Sequence, residues 1–182
     1  VTAVSGFVAG LAQKKCSTTA TIILNGVPML PRPSSLEVGT PPRLVMLGRL
    51  SIQKNPLLAM RALTLLRDIP WHLKIIGEGP LRTELRDLVE KNSLTDRITF
   101  SGWLDADTVS KRLATSDILL LTSTSEGLPM AAIAALRHGL AIVASRIDGL
   151  SDGIDDGSNG LFCGRSPETL AASLRKPLRS PE

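Results

Sequence analysis

From residue 43 onward, short aliphatic runs alternate with longer amphipathic ones, and this restricts the fold more than any other feature of the chain. "RLVML" (43–47) runs into Gly48, and "HLKII" (72–76) runs into Gly77. "RITF" (97–100) ends near Gly102, "DILLLT" (117–122) runs into Ser123, and "LAIVAS" (140–145) ends near Gly149. Each run has the length of a strand and most are closed by a turn residue. Segments of helical period lie between them. Asn55-Pro56 makes an N-cap and first-turn pair, followed by Leu57, Leu58, Met60, Leu63, Leu65 and Leu66. Pro80 opens a second helix with Leu81, Leu85, Leu88 and Val89 at helical spacing. Further helices are predicted over 105–114, 126–138 and 167–176. Repeated strand-then-helix units imply βαβ crossovers. The expected fold class is therefore α/β, a Rossmann-like parallel sheet with helices on both faces.

The first 27 residues read as strand, helix and strand, too little to hold a core alone. "PMLPRPSSLEVGTPP" (28–42) has five prolines and the composition of a linker. The main block is then 43–182. The chain begins without Met or a basic leader, so it reads as cut from something longer. A hydrophobic fraction of 43% suffices for one buried core. The net charge of +4 comes with no Lys/Arg run interleaved with aromatics, so nucleic acid is not an expected partner. That balance suits an anionic ligand or a negative membrane surface. Cys16 and Cys163 match no metal or redox spacing, and no metal site is expected.

In a doubly wound sheet, ligands bind beyond the carboxyl ends of the strands. Four stretches at those ends are unusual. In "LGRLSIQKN" (47–55), Arg49 and Lys54 follow Gly48 within one loop. They are either solvated surface charges or a clamp for a diphosphate, with Arg binding in bidentate fashion and Lys as a point charge. In "GEGP" (77–80), the glycines permit either a plain strand-to-helix turn or close approach of backbone amides to an anion. In "SGWLD" (101–105), Trp103 either walls a flat ring or packs under the next helix. In "SEGLPMAAIAALRHG" (125–139), Glu126 is the only acid. It is either a helix-start acid favoured by the dipole or an acceptor aimed at ligand hydroxyls, beside Pro129 and the amides of Gly127, Leu128 and Met130 as that helix begins.

Taken in order, "GRLSIQK", "IIGEGP", "ITFSGW", "SDILLLTSTSEGLPMAAIAALRHGLAIVAS" and "DGSNGLF" resemble the retaining glycosyltransferases of the GT-B type, family 4. "AVSGFVAGL" and "ILNGV" near the start join the series. The resemblance implies two Rossmann-like domains around a cleft, of which this chain is the C-terminal, donor-binding half. Residues 1–27 would be the edge of an N-terminal domain otherwise missing. By the same resemblance, Arg49 and Lys54 would hold the donor diphosphate and Gly102-Trp103 would meet the base. Glu126 would face the transferred sugar, with Arg49, Lys54 and Glu126 the catalytic set and Gly48 and Gly77 lining the donor site. The family has a second Glu eight residues after the first, on the donor ribose. Ala134 stands there in this chain. The glycine pair near the family's C-terminal end is also weaker, with Gly149 followed by Asp152.

The implied reaction transfers a sugar from a nucleotide-diphosphate sugar, UDP-sugar first among them, to a glycan, lipid or lipopolysaccharide-type acceptor with retained configuration. No further cofactor or metal is needed if basic side chains and amides offset the leaving diphosphate. The fragment alone is expected to bind nucleotide and turn over poorly, because the acceptor is not positioned. The implied location is cytoplasmic, with peripheral association at the inner membrane face. The competing readings are a nucleotide-sugar-binding module without activity and a sugar-nucleotide epimerase on a similar scaffold. A receiver domain of flavodoxin type would need acids at the end of the first strand, where Gly48-Arg49 stands instead.

Overall fold

The computed structural model describes residues 1–29, 38–150 and 153–179. Its main body is one parallel sheet: β3 (Arg43–Leu47), β4 (His72–Ile76), β5 (Ile98–Gly102), β6 (Ile118–Leu121), β7 (Ala141–Ser145) and β8 (Gly160–Cys163). The order across the sheet is β5-β4-β3-β6-β7-β8, with every pair parallel. That is the strand order of the dinucleotide-binding Rossmann fold, which reverses direction between its two central strands.

The expected strands at 43–47 and 72–76 have these bounds in the structure, and the other three shift by one or two residues. β8 was not expected. It is a four-residue strand of Gly160, Leu161, Phe162 and Cys163, held in the sheet by β7. Side-chain alternation along the central strands divides the core in two. Leu44 and Met46 face a layer made by α2 (Pro56–Thr64), α3 (Arg82–Lys91) and α6 (Pro167–Arg179). Val45 faces the other side, with α4 (Ala106–Leu113) and α5 (Met130–Arg137). The buried Trp71 anchors the first layer, its indole N–H donating to the Leu66 carbonyl at 2.9 Å.

Three helix boundaries differ from expectation. α3 begins at Arg82, two residues past Pro80, which lies in a turn. α6 continues through Pro177 to Arg179, because Leu170, Leu174 and Leu178 bury one continuous stripe that outweighs the lost proline donor. α5 begins only at Met130, so the expected helix over 126–138 loses its first four residues. Leu128 precedes a proline and is pushed toward extended backbone, which ends the helix there.

At the amino end, β1 (Thr2–Ala3) and β2 (Thr21–Ile22) pair in parallel around α1 (Gly6–Cys16), which has no buried residue of its own. Ser5 caps α1, accepting from the Val8 N–H at 3.2 Å. Most of the expected linker, residues 30–37, lies outside the described residues, as does Asp152. Among the described residues no helix is long and apolar enough to cross a membrane. Cys16 is exposed, whereas Cys163 is buried, its thiol pushed up to about 11 by burial.

Candidate functional site

β3 and β6 lie side by side at the centre of the sheet. The chain leaves β3 for the α2 layer and leaves β6 for the α5 layer. A crevice therefore opens between the two carboxyl ends, where ligands of doubly wound sheets bind. The loops on its two sides are laced together. The Thr124 N–H donates to the Gln53 carbonyl at 2.8 Å, and the Thr122 hydroxyl donates to the Asn55 carbonyl at 2.9 Å. Asn55 occupies the N-cap position of α2 in the left-handed region, φ 45°, and its side chain makes no capping bond.

Gly48, Arg49, Lys54, Thr122 and Ser123 line one hollow of this crevice. Lys54 forms an ion pair with Oε1 of Glu126, and the Ser123 hydroxyl donates to the same oxygen at 2.6 Å. The pair is largely withdrawn from water, with 9% of the Glu126 side chain and 26% of the Lys54 side chain exposed. Glu126 is thus not a helix-start acid. It stands four residues before α5, in a loop, and reaches across the crevice to the end of the opposite loop.

That loop is held from both sides. Gly149 packs on the peptide carbonyls of Glu126 and Gly127, so close that a Cβ would lie 2.7 Å from the Gly127 oxygen. On the other side, Val4 and Val8 of the amino-terminal unit press on Gly127, where a Cβ would meet them at 3.3 and 3.1 Å. Asn25 adds a bond from its side-chain amide to the Leu128 carbonyl at 3.1 Å. The first 29 residues therefore form one wall of the site loop. Pro129 precedes α5 without a side-chain cap, and the N–H of Ala132 turns back to its carbonyl at 3.0 Å.

A pocket of about 530 Å³ adjoins the crevice on the β4 and β5 side. Arg49, Gly77, Trp103 and Leu104 are among its lining residues, so Arg49 links the pocket to the Lys54 hollow. Trp103 is 77% exposed, which rules out packing beneath the next helix. Gly102 carries φ +71° and turns the chain into it. Gly77, at φ +138°, has no room for a Cβ because the Gly48 carbonyl occupies that space. The two glycines of "GEGP" thus let the loops after β3 and β4 stack backbone on backbone, with Leu50 N–H donating to the Glu78 carbonyl at 2.9 Å. Glu78 itself is paired with Arg82.

Ala134 sits half-buried against the second core layer on α5. Since 126 lies outside the helix, the eight-residue spacing does not place 126 and 134 on one helical face. Ser123, Thr122 and the Val4–Val8 wall were not among the expected site residues. The polar cluster "TSTSE" directly after an all-apolar strand was the available signal for the first two. Among the described residues, no group of three or more His, Cys, Asp or Glu is arranged to hold a metal.

A doubly wound sheet with a paired cation and carboxylate at its switch point, beside a pocket that Trp103 helps to line, places the chain among the Rossmann-like α/β domains. The profile of one family, "Glycosyl transferases group 1", matches residues 31–182. The chain belongs to that family. It is 33% identical over 142 residues to the GDP-mannose-dependent alpha-(1-6)-phosphatidylinositol dimannoside mannosyltransferase of Mycobacterium tuberculosis, covering 76% of this chain and 36% of that one. It is 29% identical over 138 residues to the 2-deoxystreptamine glucosyltransferase of Streptomyces kanamyceticus, covering 74% and 35%. The fold is similar to that of a variant of S. aureus TarM solved with UDP, at TM-score 0.85 and 21% identity, over 99% of this chain and 37% of that one. It is also similar to that of Anabaena Alr3699/HepE with UDP, at TM-score 0.83 and 20% identity, over 100% and 54%. The chain spans about a third of the length of the curated relatives it matches.

Proposed function

We propose that this chain is the donor-binding half of a retaining glycosyltransferase that takes its sugar from a nucleoside diphosphate. The observation that carries the reading is the convergence of Arg49, Lys54 and Glu126 on the crevice between β3 and β6, next to the Trp103 pocket. In this reading the base lies in the pocket against Trp103 and the diphosphate lies over Gly48 between Arg49 and Lys54. Glu126 accepts from hydroxyls of the transferred sugar, a task suited to an acceptor-only group. As the bond from the anomeric carbon to the diphosphate breaks, negative charge grows on the leaving oxygen. The cations of Arg49 and Lys54, both lining this crevice, offset it. The acceptor, of glycan, lipid or lipopolysaccharide type, is held by the rest of an N-terminal domain to which residues 1–27 form the edge, with 28–42 as the linker. The protein works in the cytoplasm at the inner membrane face.

UDP is the donor nucleotide in this reading, supported by the UDP-bound structures of similar fold. A second reading, a guanosine donor, is favoured by the mycobacterial relative, which is GDP-mannose-dependent. Calorimetry with UDP and GDP tests both. The Arg49→Ala, Lys54→Ala pair is expected to weaken the preferred nucleotide by about 3 kcal/mol or more, because bonds to charged groups contribute roughly 1.5–3 kcal/mol each. Equal affinity for wild type and the pair would refute the diphosphate assignment.

A further inference from the structure

Lys54 and Glu126 are joined to each other in the ligand-free chain, although the reading above gives them different parts of the donor. Resting on that reading, we infer that the pair is a gate that discriminates a nucleoside diphosphate sugar from the bare nucleoside diphosphate left after transfer. A diphosphate that takes Lys54 strips Glu126 of its cation. The carboxylate is then nearly buried beside a second anion, with only the Ser123 hydroxyl still bonded to Oε1. Uncompensated charge in such surroundings is costly. When the diphosphate carries a sugar, the sugar hydroxyls donate to the carboxylate and make good the loss. Without the sugar nothing does, so the Lys54–Glu126 pair re-forms and the nucleotide is released. Ser123 is the positioning residue. It is 2% exposed and holds Oε1, which leaves Oε2 for the incoming hydroxyls.

The gate is read by calorimetry on the 182-residue chain with two probes, UDP and UDP-glucose. Wild type is expected to bind UDP-glucose at least about fivefold tighter than UDP, which is about 1 kcal/mol. Glu126→Gln removes the competing charge and keeps the shape. It is expected to tighten UDP about fivefold or more and to bring the two affinities close together. In a Lys54→Met background the same substitution is expected to change UDP binding less than about twofold. Loss of mere structural support would weaken both ligands together, the opposite pattern. Circular dichroism checks the fold of each variant, and Glu126→Ala is read in the same way if the glutamine variant unfolds. If UDP binds wild type as tightly as UDP-glucose, the gate is overturned. It is equally overturned if Glu126→Gln leaves UDP binding unchanged while Lys54→Met weakens it, and in that case the donor-site reading survives. If neither probe, nor GDP and GDP-mannose titrated beside them, binds wild type or any variant, the donor-site reading fails and the gate with it.

Discussion

Gly149 rests its Cα against the peptide carbonyl of Glu126, and no side chain fits between them. The two residues come from the loops after β7 and β6, so one glycine sets how far the site loop stands from the neighbouring crossover.

Gly149→Ala is therefore expected to push the 126–127 backbone toward Val4 and Val8, which leave little room for a side chain at Gly127. Overpacking of this kind costs about 1–3 kcal/mol. The displaced Glu126 would in addition lose its bond from Ser123. Urea denaturation should show the lower stability, and UDP titration should show weaker binding than stability alone explains. A variant with wild-type stability and binding would show that the contact is not constraining.

Trp103 is one of two tryptophans in the chain, and Trp71 is buried. Nucleotide entering the pocket should change the fluorescence of Trp103 alone. Trp103→Ala is expected to remove the signal and to weaken nucleotide binding by about 1–3 kcal/mol, the range for a base stacked on an aromatic ring. An unchanged emission spectrum at saturating UDP would place the base elsewhere.

Asp117 lies at the opposite end of the sheet, just before β6, where it accepts from Arg43 Nη2 at 2.6 Å and from the Arg43 N–H at 2.6 Å. Burial alone would raise its pKa, but the bonds from Arg43 and Gly39 outweigh burial and hold it below the usual carboxylate range. A carboxyl depressed in the folded state stabilises fully above its unfolded value, near 3.9, and that stability is lost as pH falls through the folded value. The difference in stability between wild type and Asp117→Asn should thus be constant above about pH 5 and shrink as the pH falls below about 4. At neutral pH the substitution is expected to cost about 2 kcal/mol, since it weakens several bonds to one charged group. A pH-independent difference would exclude the Arg43–Asp117 pair as the source.

By the resemblance drawn from the sequence, Ala134→Glu would place an acid where a donor-ribose contact is expected. It is expected to tighten UDP by about 1 kcal/mol, since charged acceptors make the stronger hydrogen bonds to ribose hydroxyls. Ala134 packs on the second core layer, so thermal stability without ligand should fall. Equal effects on UDP and 2′-deoxy-UDP would show that position 134 does not meet the 2′ hydroxyl.

The sheet was legible because each central strand is an aliphatic run closed by glycine or a small polar residue, as at Leu47-Gly48 and Ile76-Gly77. β8 was not, because four residues that begin with Gly160 and run into Gly164 carry too little periodicity, and only pairing with β7 makes them a strand. The start of α5 was misplaced because "EGLPMAAIAALR" reads as one apolar run. Pro129 was the signal of the break. Arg49, Lys54 and Glu126 could be picked out as unusual charges at strand ends. That Lys54 and Glu126 would meet was not legible, because nothing local relates two loops on neighbouring strands.

Lys54 and Glu126 are 72 positions apart in sequence. The β3–β4–β5 half of the sheet assembles from neighbouring βαβ units, but β3 meets β6 only by closing a long stretch of chain. Contacts of large sequence separation form late because loop closure must precede them. The crevice is accordingly expected to be among the last features to form as the chain folds. A ligand bridging its two sides acts on that final step: it cannot hasten the early sheet, but it slows the reopening of the seam between β3 and β6. Bound nucleotide should therefore prolong the native lifetime more than it speeds refolding.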